Sequence, residues 1–125
     1  MESDMAGKTV LITGAAERAG RVFARRFAAA GADVEHAHWG QAELAEETVA
    51  LIRADGGRAL AIEADVSDTS AARRLVAETV AWTGDLSVLI HNASSVRSRE
   101  VEDVTEDDFD SSFGVNIPGP FFLSQ

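Results

Sequence analysis

Apolar and polar positions follow two rhythms along this chain. Short aliphatic runs at Val10–Ile12, Ala32–His38, Arg58–Glu63 and Leu86–His91 have the length and β-branched content of strands. The intervening stretches repeat apolar residues every three or four positions, as helices do. After Gly20, Phe23 and Phe27 lie four apart with Val22, Ala24 and Ala30 beside them, and Gly31 stands where a C-cap glycine belongs. From Gln41 to Asp55, Leu44, Thr48, Leu51 and Ile52 form one stripe, stopped by Gly56-Gly57. Ser67 or Asp68 caps a third helix in which Ala72, Val76 and Val80 repeat every four residues beside Leu75, and Gly84 ends it. Thr105 is placed to cap a short helix through about Phe113. Val115 to Gln125 opens a further element interrupted by Pro118 and Pro120.

Strands alternating with helices predict βαβ units and a parallel sheet, with right-handed crossovers. The expected fold is α/β, a three-layer Rossmann-type parallel sheet of strand order 3-2-1-4. Residues 1–125 form a single domain in this reading, and 1–7 form a disordered tail. A crevice is expected between strands one and four, where the turns after each strand open together.

Composition narrows the class. The 125 residues suffice for a real core, and 46% of them are hydrophobic. No apolar run approaches the roughly 20 residues of a membrane span, and Met1 to Gly7 is too polar for a secretory signal. A cytoplasmic location is the default. The absence of cysteine excludes disulfides and thiol chemistry. A net charge of −10 argues against nucleic-acid or anionic-membrane partners. The charge is uneven: Arg18, Arg21, Arg25 and Arg26 cluster after the first glycine turn, and Glu100 to Asp110 is acidic. Either stretch reads as a solvated face, but the basic one also flanks the opening turn. His36 and His38 share a strand face yet lack a third ligand, so no metal site is expected.

The chemistry concentrates at Thr9 to Gly20. A strand, a glycine turn and a helix start in that order set backbone N–H groups where a phosphate can be held. Gly14 permits the tight turn and a close approach to the backbone, and Gly20 permits close helix–sheet packing. The end of the second strand ordinarily decides between nicotinamide cofactors, since an acidic residue there accepts from a ribose 2′-hydroxyl. Glu35 falls too early for this, and His36, His38 and Trp39 carry no fixed negative charge, which favours NADP over NAD.

Thr13-Gly14-Ala15-Ala16-Glu17-Arg18-Ala19-Gly20 resembles the glycine-rich turn of the short-chain dehydrogenase/reductase family. Asp65-Val66 matches the family's acidic residue after strand three, and His91-Asn92-Ala93-Ser94 resembles its Asn-Asn-Ala-Gly turn. Val115-Asn116-Ile117 with Gly119 and Phe121 matches the segment that opens its long interface helix. The resemblance runs from Lys8 onward. Arg18 in place of the middle glycine and Ser94 in place of the last resemble the NADPH-using pteridine-reductase branch. Val96 and His38-Trp39-Gly40-Gln41 depart from that branch, which carries an aromatic residue and an arginine there.

What the resemblance implies is a dinucleotide site built from Gly14, Ala16, Arg18, Ala19, His38, Asp65, Val66, Asn92, Ala93 and Ser94. Arg18 would lie over the pyrophosphate or a 2′-phosphate, or else be a solvated helix arginine. Asp65 would accept from the adenine amino group, or cap the next helix. Asn92 would hold the nicotinamide ribose. Ser94 would reach phosphate or substrate, or only shape its turn. Asn116 would support a proton-relay water and is the sole catalytic candidate. The family's proton donor is a tyrosine assisted by lysine. This chain has no tyrosine, and its one lysine is Lys8. The expectation is therefore the NAD(P)-binding half of an oxidoreductase that reduces a carbonyl or imine. It stops before strand five, with 115–125 starting an incomplete interface helix, and is inactive alone. The alternative is a non-catalytic nucleotide-binding or assembly module. Expected partners are the dinucleotide, a small-molecule substrate, and either further copies or a complementing chain.

Overall fold

A computed structural model of the protein describes residues 4–96 and 98–125. Its described elements run β1 (Thr9–Thr13), α1 (Arg18–Ala29), β2 (Asp33–His38), α2 (Ala42–Ala54), β3 (Arg58–Glu63), α3 (Thr69–Thr83), β4 (Val88–Ile90), a 3-10 turn at Val101–Asp103, α4 (Glu106–Asn116) and α5 (Pro118–Ser124). The strands form one parallel sheet in the order β3-β2-β1-β4, as the alternation of strands and helices requires.

Alternation along β1 splits the core in two. Val10 and Ile12 point to the side covered by α1 and α2, where they meet Val34, Ala24, Val49 and Ile52. Leu11 points to the other side and meets Ala37, Ala72, Leu75 and Leu123. All five β1 residues are buried, since the strand is flanked on both edges and faces: its middle three are apolar, and the hydroxyls of Thr9 and Thr13 at its ends are hydrogen-bonded.

The helices bury slightly different stripes from those the apolar spacing suggests. In α1 the buried positions are Gly20 and Ala24, with Phe27 and Ala28 packed beside them, while Phe23 and Val22 stay exposed. In α2 the buried stripe is Ala45, Thr48, Val49 and Ile52, and Leu44 and Leu51 lie at its margins. In α3 it is Ala72, Leu75 and Thr79, with Val80 outside. The reason is separation: small residues bring the helix axes close to the sheet, and larger ones are displaced to the flank. Asp68, not Ser67, caps α3, its carboxylate accepting from Ser70 N–H at 2.9 Å.

Three terminal expectations need correction. Residues 4–7 form a turn tied to the body, in which Met5 N–H donates to Ala30 O at 3.0 Å and its side chain packs on the first core. Residues 1–3 of the expected tail lie outside the described residues. The Thr105-capped helix runs past Phe113 to Asn116, held by a full capping box with Asp108. Residues 115–125 are therefore not the start of one helix: Val115 and Asn116 finish α4, and the chain breaks at Ile117 before α5. Pro118 lacks an N–H and is suited only to a first helical turn. Leu123 is buried against α3, whereas Phe121 is exposed.

Candidate functional site

The carboxyl ends of all four strands open into one crevice of about 490 Å3. Thr13 and Gly14 contribute from β1, His38 from β2, Ala64 to Val66 from the loop after β3, and Asn92 to Ser95 from the turn after β4. That volume is within the range of small-molecule and cofactor sites.

Two turns form its floor, and they are sewn together. The Thr13 hydroxyl, almost wholly buried, accepts from the N–H groups of Asn92 at 3.1 Å and Ala93 at 3.0 Å. Asn92 returns the contact, its amide donating to Gly14 O at 2.9 Å. Gly14 has a φ of 66°, and a Cβ there would lie 2.8 Å from the Ala93 Cα. Its glycine is thus needed both for the left-handed turn and for turn-to-turn contact. At Gly20 a Cβ would collide with the Gly14 carbonyl oxygen and lie 2.6 Å from the Ala15 Cα, so this glycine lets α1 start directly against the turn.

Glu17 is the N-cap residue of α1, yet its side chain makes no cap bond. Among the described residues no side chain accepts from the first-turn N–H groups of α1, whose residues Arg18 and Ala19 line the crevice, an arrangement that suits an anion. Arg18 is exposed, lines the crevice and holds a φ of 52°. Arg18 thus holds a left-handed backbone conformation that favours glycine, at a strain of about 1 kcal/mol. Ala19 lines the crevice beside it. Ala16 does not: it is fully buried, and its carbonyl accepts from Arg21 Nε at 3.2 Å and Thr48 Oγ1 at 3.2 Å. Arg21 also donates to Thr48 Oγ1 and Leu44 O and pairs with Glu47 at 3.2 Å, so one member of the basic cluster is a staple between α1 and α2.

His38 is buried at the crevice wall, its Nδ1 accepting from Gln41 N–H at 3.3 Å. Asp65 does not cap α3; its Oδ1 accepts from Ser67 N–H at 3.0 Å and from Ser67 Oγ at 2.6 Å, which fixes the carboxylate at the crevice edge. Val66 and Ala93 line the wall, and Ser94 is exposed at the rim. Asn116 lies outside the crevice lining. Its Oδ1 accepts from Ser95 N–H at 3.0 Å and its Nδ2 donates to Ser95 O at 2.8 Å. Both ends of its amide hold the backbone of the turn after β4.

Beneath the site, β2 carries two buried titratable groups besides His38, namely Glu35 and His36. Burial pushes the His36 imidazole down from 6.5 to about 4, further lowered by His38 and Arg21 and partly offset by the Nε2 contact with Ala45 O at 3.1 Å. Its Nδ1 has no partner among the described residues. Burial raises the Glu35 carboxyl above its usual range, with Thr79 opposing and Glu78 adding to the shift.

Several crevice residues escaped the sequence reading: Thr13, Glu17, Trp39, Gln41, Ser95 and Val115. The signal for Thr13 was present, since a hydroxyl residue ends a buried strand just before the glycine. Glu17 and Gln41 had none, because their meeting depends on the α1 entry angle.

The sequence from residue 8 to 125 matches the family model for short chain dehydrogenases. The chain belongs to the short-chain dehydrogenase family. It is 40% identical over 119 residues to versicolorin reductase 1 of Aspergillus parasiticus, spanning 95% of this chain and 45% of that protein. It superposes with a TM-score of 0.94 and 39% identity on a short-chain dehydrogenase from Burkholderia cenocepacia solved in complex with NADP, covering 97% of this chain and 49% of that one. A blue fluorescent protein from a metagenomic library, in complex with NADPH, gives 0.90 and 30% identity, with 96% and 49% covered. The chain therefore spans about half the length of these relatives. No described helix is long and apolar enough to cross a membrane.

Proposed function

We propose that this chain is the dinucleotide-binding portion of an NADP-dependent oxidoreductase. The observation that carries this reading is the uncapped start of α1 facing a crevice whose floor is Gly14 and Asn92. Gly14, Arg18 and Ala19 would receive the phosphates, Asp65 and Val66 the adenine, and Asn92, Ala93 and Ser94 the nicotinamide end. His38 would wall the adenosine ribose. Support for NADP comes from Arg18, from β2 lacking a carboxylate at its end, and from the NADP and NADPH complexes of the related structures. When bound, the reduced nicotinamide supplies a hydride to a carbonyl or imine carbon of a small-molecule substrate. This chain's residues bind and orient it. The proton must come from elsewhere, since there is no tyrosine and Lys8 precedes β1. Asn116, with both amide atoms engaged on Ser95, would act by holding that turn.

A second reading adds association. Phe109, Phe113 and Ile117 leave an exposed apolar stripe on and just beyond α4, and β4 is a sheet edge. These surfaces favour further copies or a complementing chain, whether or not the assembly reacts. A thermal-shift titration with NADP, NAD and adenosine nucleotides, run beside NADPH absorbance with ketone and pterin panels, tests the proposal. Stabilisation without turnover is expected. Turnover by this chain alone would contradict the external proton donor, and no stabilisation by any dinucleotide would overturn the binding site.

A further inference from the structure

The end of β2 has no carboxylate of its own, but the fold delivers one to it. Glu17, in the turn before α1, lines the crevice together with His38, Trp39 and Gln41. Gln41 Nε2 donates to Glu17 Oε1 at 3.1 Å, and Gln41 N–H donates to His38 Nδ1 at 3.3 Å. Gln41 thus fastens Glu17 to the loop that follows β2, the place where a dinucleotide fold presents its adenosine ribose selector. The carboxylate does not pair with the neighbouring arginine. The ion pairs of the adjacent basic cluster run from Arg21 to Glu47 and from Arg25 to Asp55.

We propose that Glu17 is a specificity-determining residue for the dinucleotide, acting from the first turn in place of an acidic residue on β2. The proposal rests on the binding reading above. Its carboxylate offers an acceptor to a ribose 2′-hydroxyl and repels a 2′-phosphate, while Arg18, the next residue, attracts that phosphate. The preference for NADP is then the outcome of two opposed charges on one turn. The crevice retains measurable affinity for NAD because Glu17 serves it.

The test is titration of the wild-type chain and of Glu17→Gln with NADP and NAD. A second probe pair is the adenosine bisphosphate bearing a 2′-phosphate and adenosine monophosphate lacking it. Glu17→Gln keeps the shape and a Gln41 partner, and circular dichroism checks its fold. Removing one unit charge near a phosphate in a partly solvated site is expected to tighten NADP about tenfold and to leave NAD unchanged or weaker. The bisphosphate to monophosphate ratio should shift alike. Arg18→Ala should move the ratio the opposite way. Binding of both dinucleotides with a ratio unchanged within about twofold overturns the role of Glu17 while leaving the crevice reading intact. Absence of binding in the wild type overturns both.

Discussion

Replacing Thr13 with valine tests the seam on which the site depends. The side chains have nearly the same shape, so the buried end of β1 keeps its packing and loses only an oxygen. That oxygen accepts two backbone N–H groups, from Asn92 at 3.1 Å and Ala93 at 3.0 Å. A buried donor left without an acceptor costs about 1–3 kcal/mol. Asn92 and Ala93 are half-buried, so water recovers part of this. The expected loss for the pair is about 2–3 kcal/mol. Urea unfolding should show the midpoint falling with an unchanged slope, since the surface exposed on unfolding stays the same. Thermal stabilisation by NADP should fall as well, because the turn carrying Asn92 to Ser94 loses both backbone bonds to Thr13 and keeps only the Asn92 amide bond to Gly14 O. Thr13→Ser keeps the acceptor and should lose only the methyl contribution, about 1 kcal/mol. If Thr13→Val unfolds within about 0.5 kcal/mol of wild type and responds to nucleotide as well as Thr13→Ser does, the two turns are held by something else.

Two further outcomes follow from the same geometry. Gly20→Ala places a Cβ against the Gly14 carbonyl oxygen and 2.8 Å from Asn92 Nδ2, all of it turn structure that cannot yield cheaply. A loss of about 2–3 kcal/mol or more is expected, read as a Tm lower by about 10 °C; an unchanged Tm would show that α1 does not sit on the turn as described. The second outcome concerns acid. His36 is neutral and buried, and its folded pKa of about 4 lies below the 6.5 it has when unfolded. The unfolded chain therefore binds more protons between those values. The stability His36 contributes is complete above about pH 6.5 and is lost as pH falls toward 4, by about 3 kcal/mol. Glu35, its carboxyl raised, has the opposite sign: the stability of its protonated form is lost as pH rises through its folded pKa. Urea midpoints from pH 7 to 4.5 should fall for wild type and flatten in His36→Gln; equal slopes in both would refute the assignment.

Much of the architecture is written in local pattern. The strand at Arg58–Glu63 begins and ends where its β-branched and aliphatic run does, bounded by Gly57 and Asp65. The order β3-β2-β1-β4 follows from alternating elements and crossover handedness, and the Thr105 cap from a hydroxyl before an acidic turn. The glycine positions were readable because a tight turn demands particular residue types wherever it occurs, whereas Asp65 and Asn92 were singled out by the family resemblance. Pattern failed where the answer depends on distance between elements. Spacing alone placed Phe23, Leu51 and Val80 on the apolar stripes, but close helix–sheet approach leaves them exposed, keeps Ala24 of the first stripe and adds Val49 and Thr79. Nothing within the α4 sequence shows that Asn116 closes on Ser95, 21 positions earlier. Nor does the arginine cluster reveal that Arg21 is a staple while Arg18 faces the crevice in a left-handed turn.

The sequence by itself determined the strands, the caps and the glycine turns, because these answer to steric and hydrogen-bonding rules acting over a few residues. Only the tertiary structure decided which side chains meet: Thr13 with the turn after β4, and Glu17 with Gln41. Such contacts are set by how closely helices and strands pack, and packing distance is a property of the assembled layers that no short stretch of chain encodes.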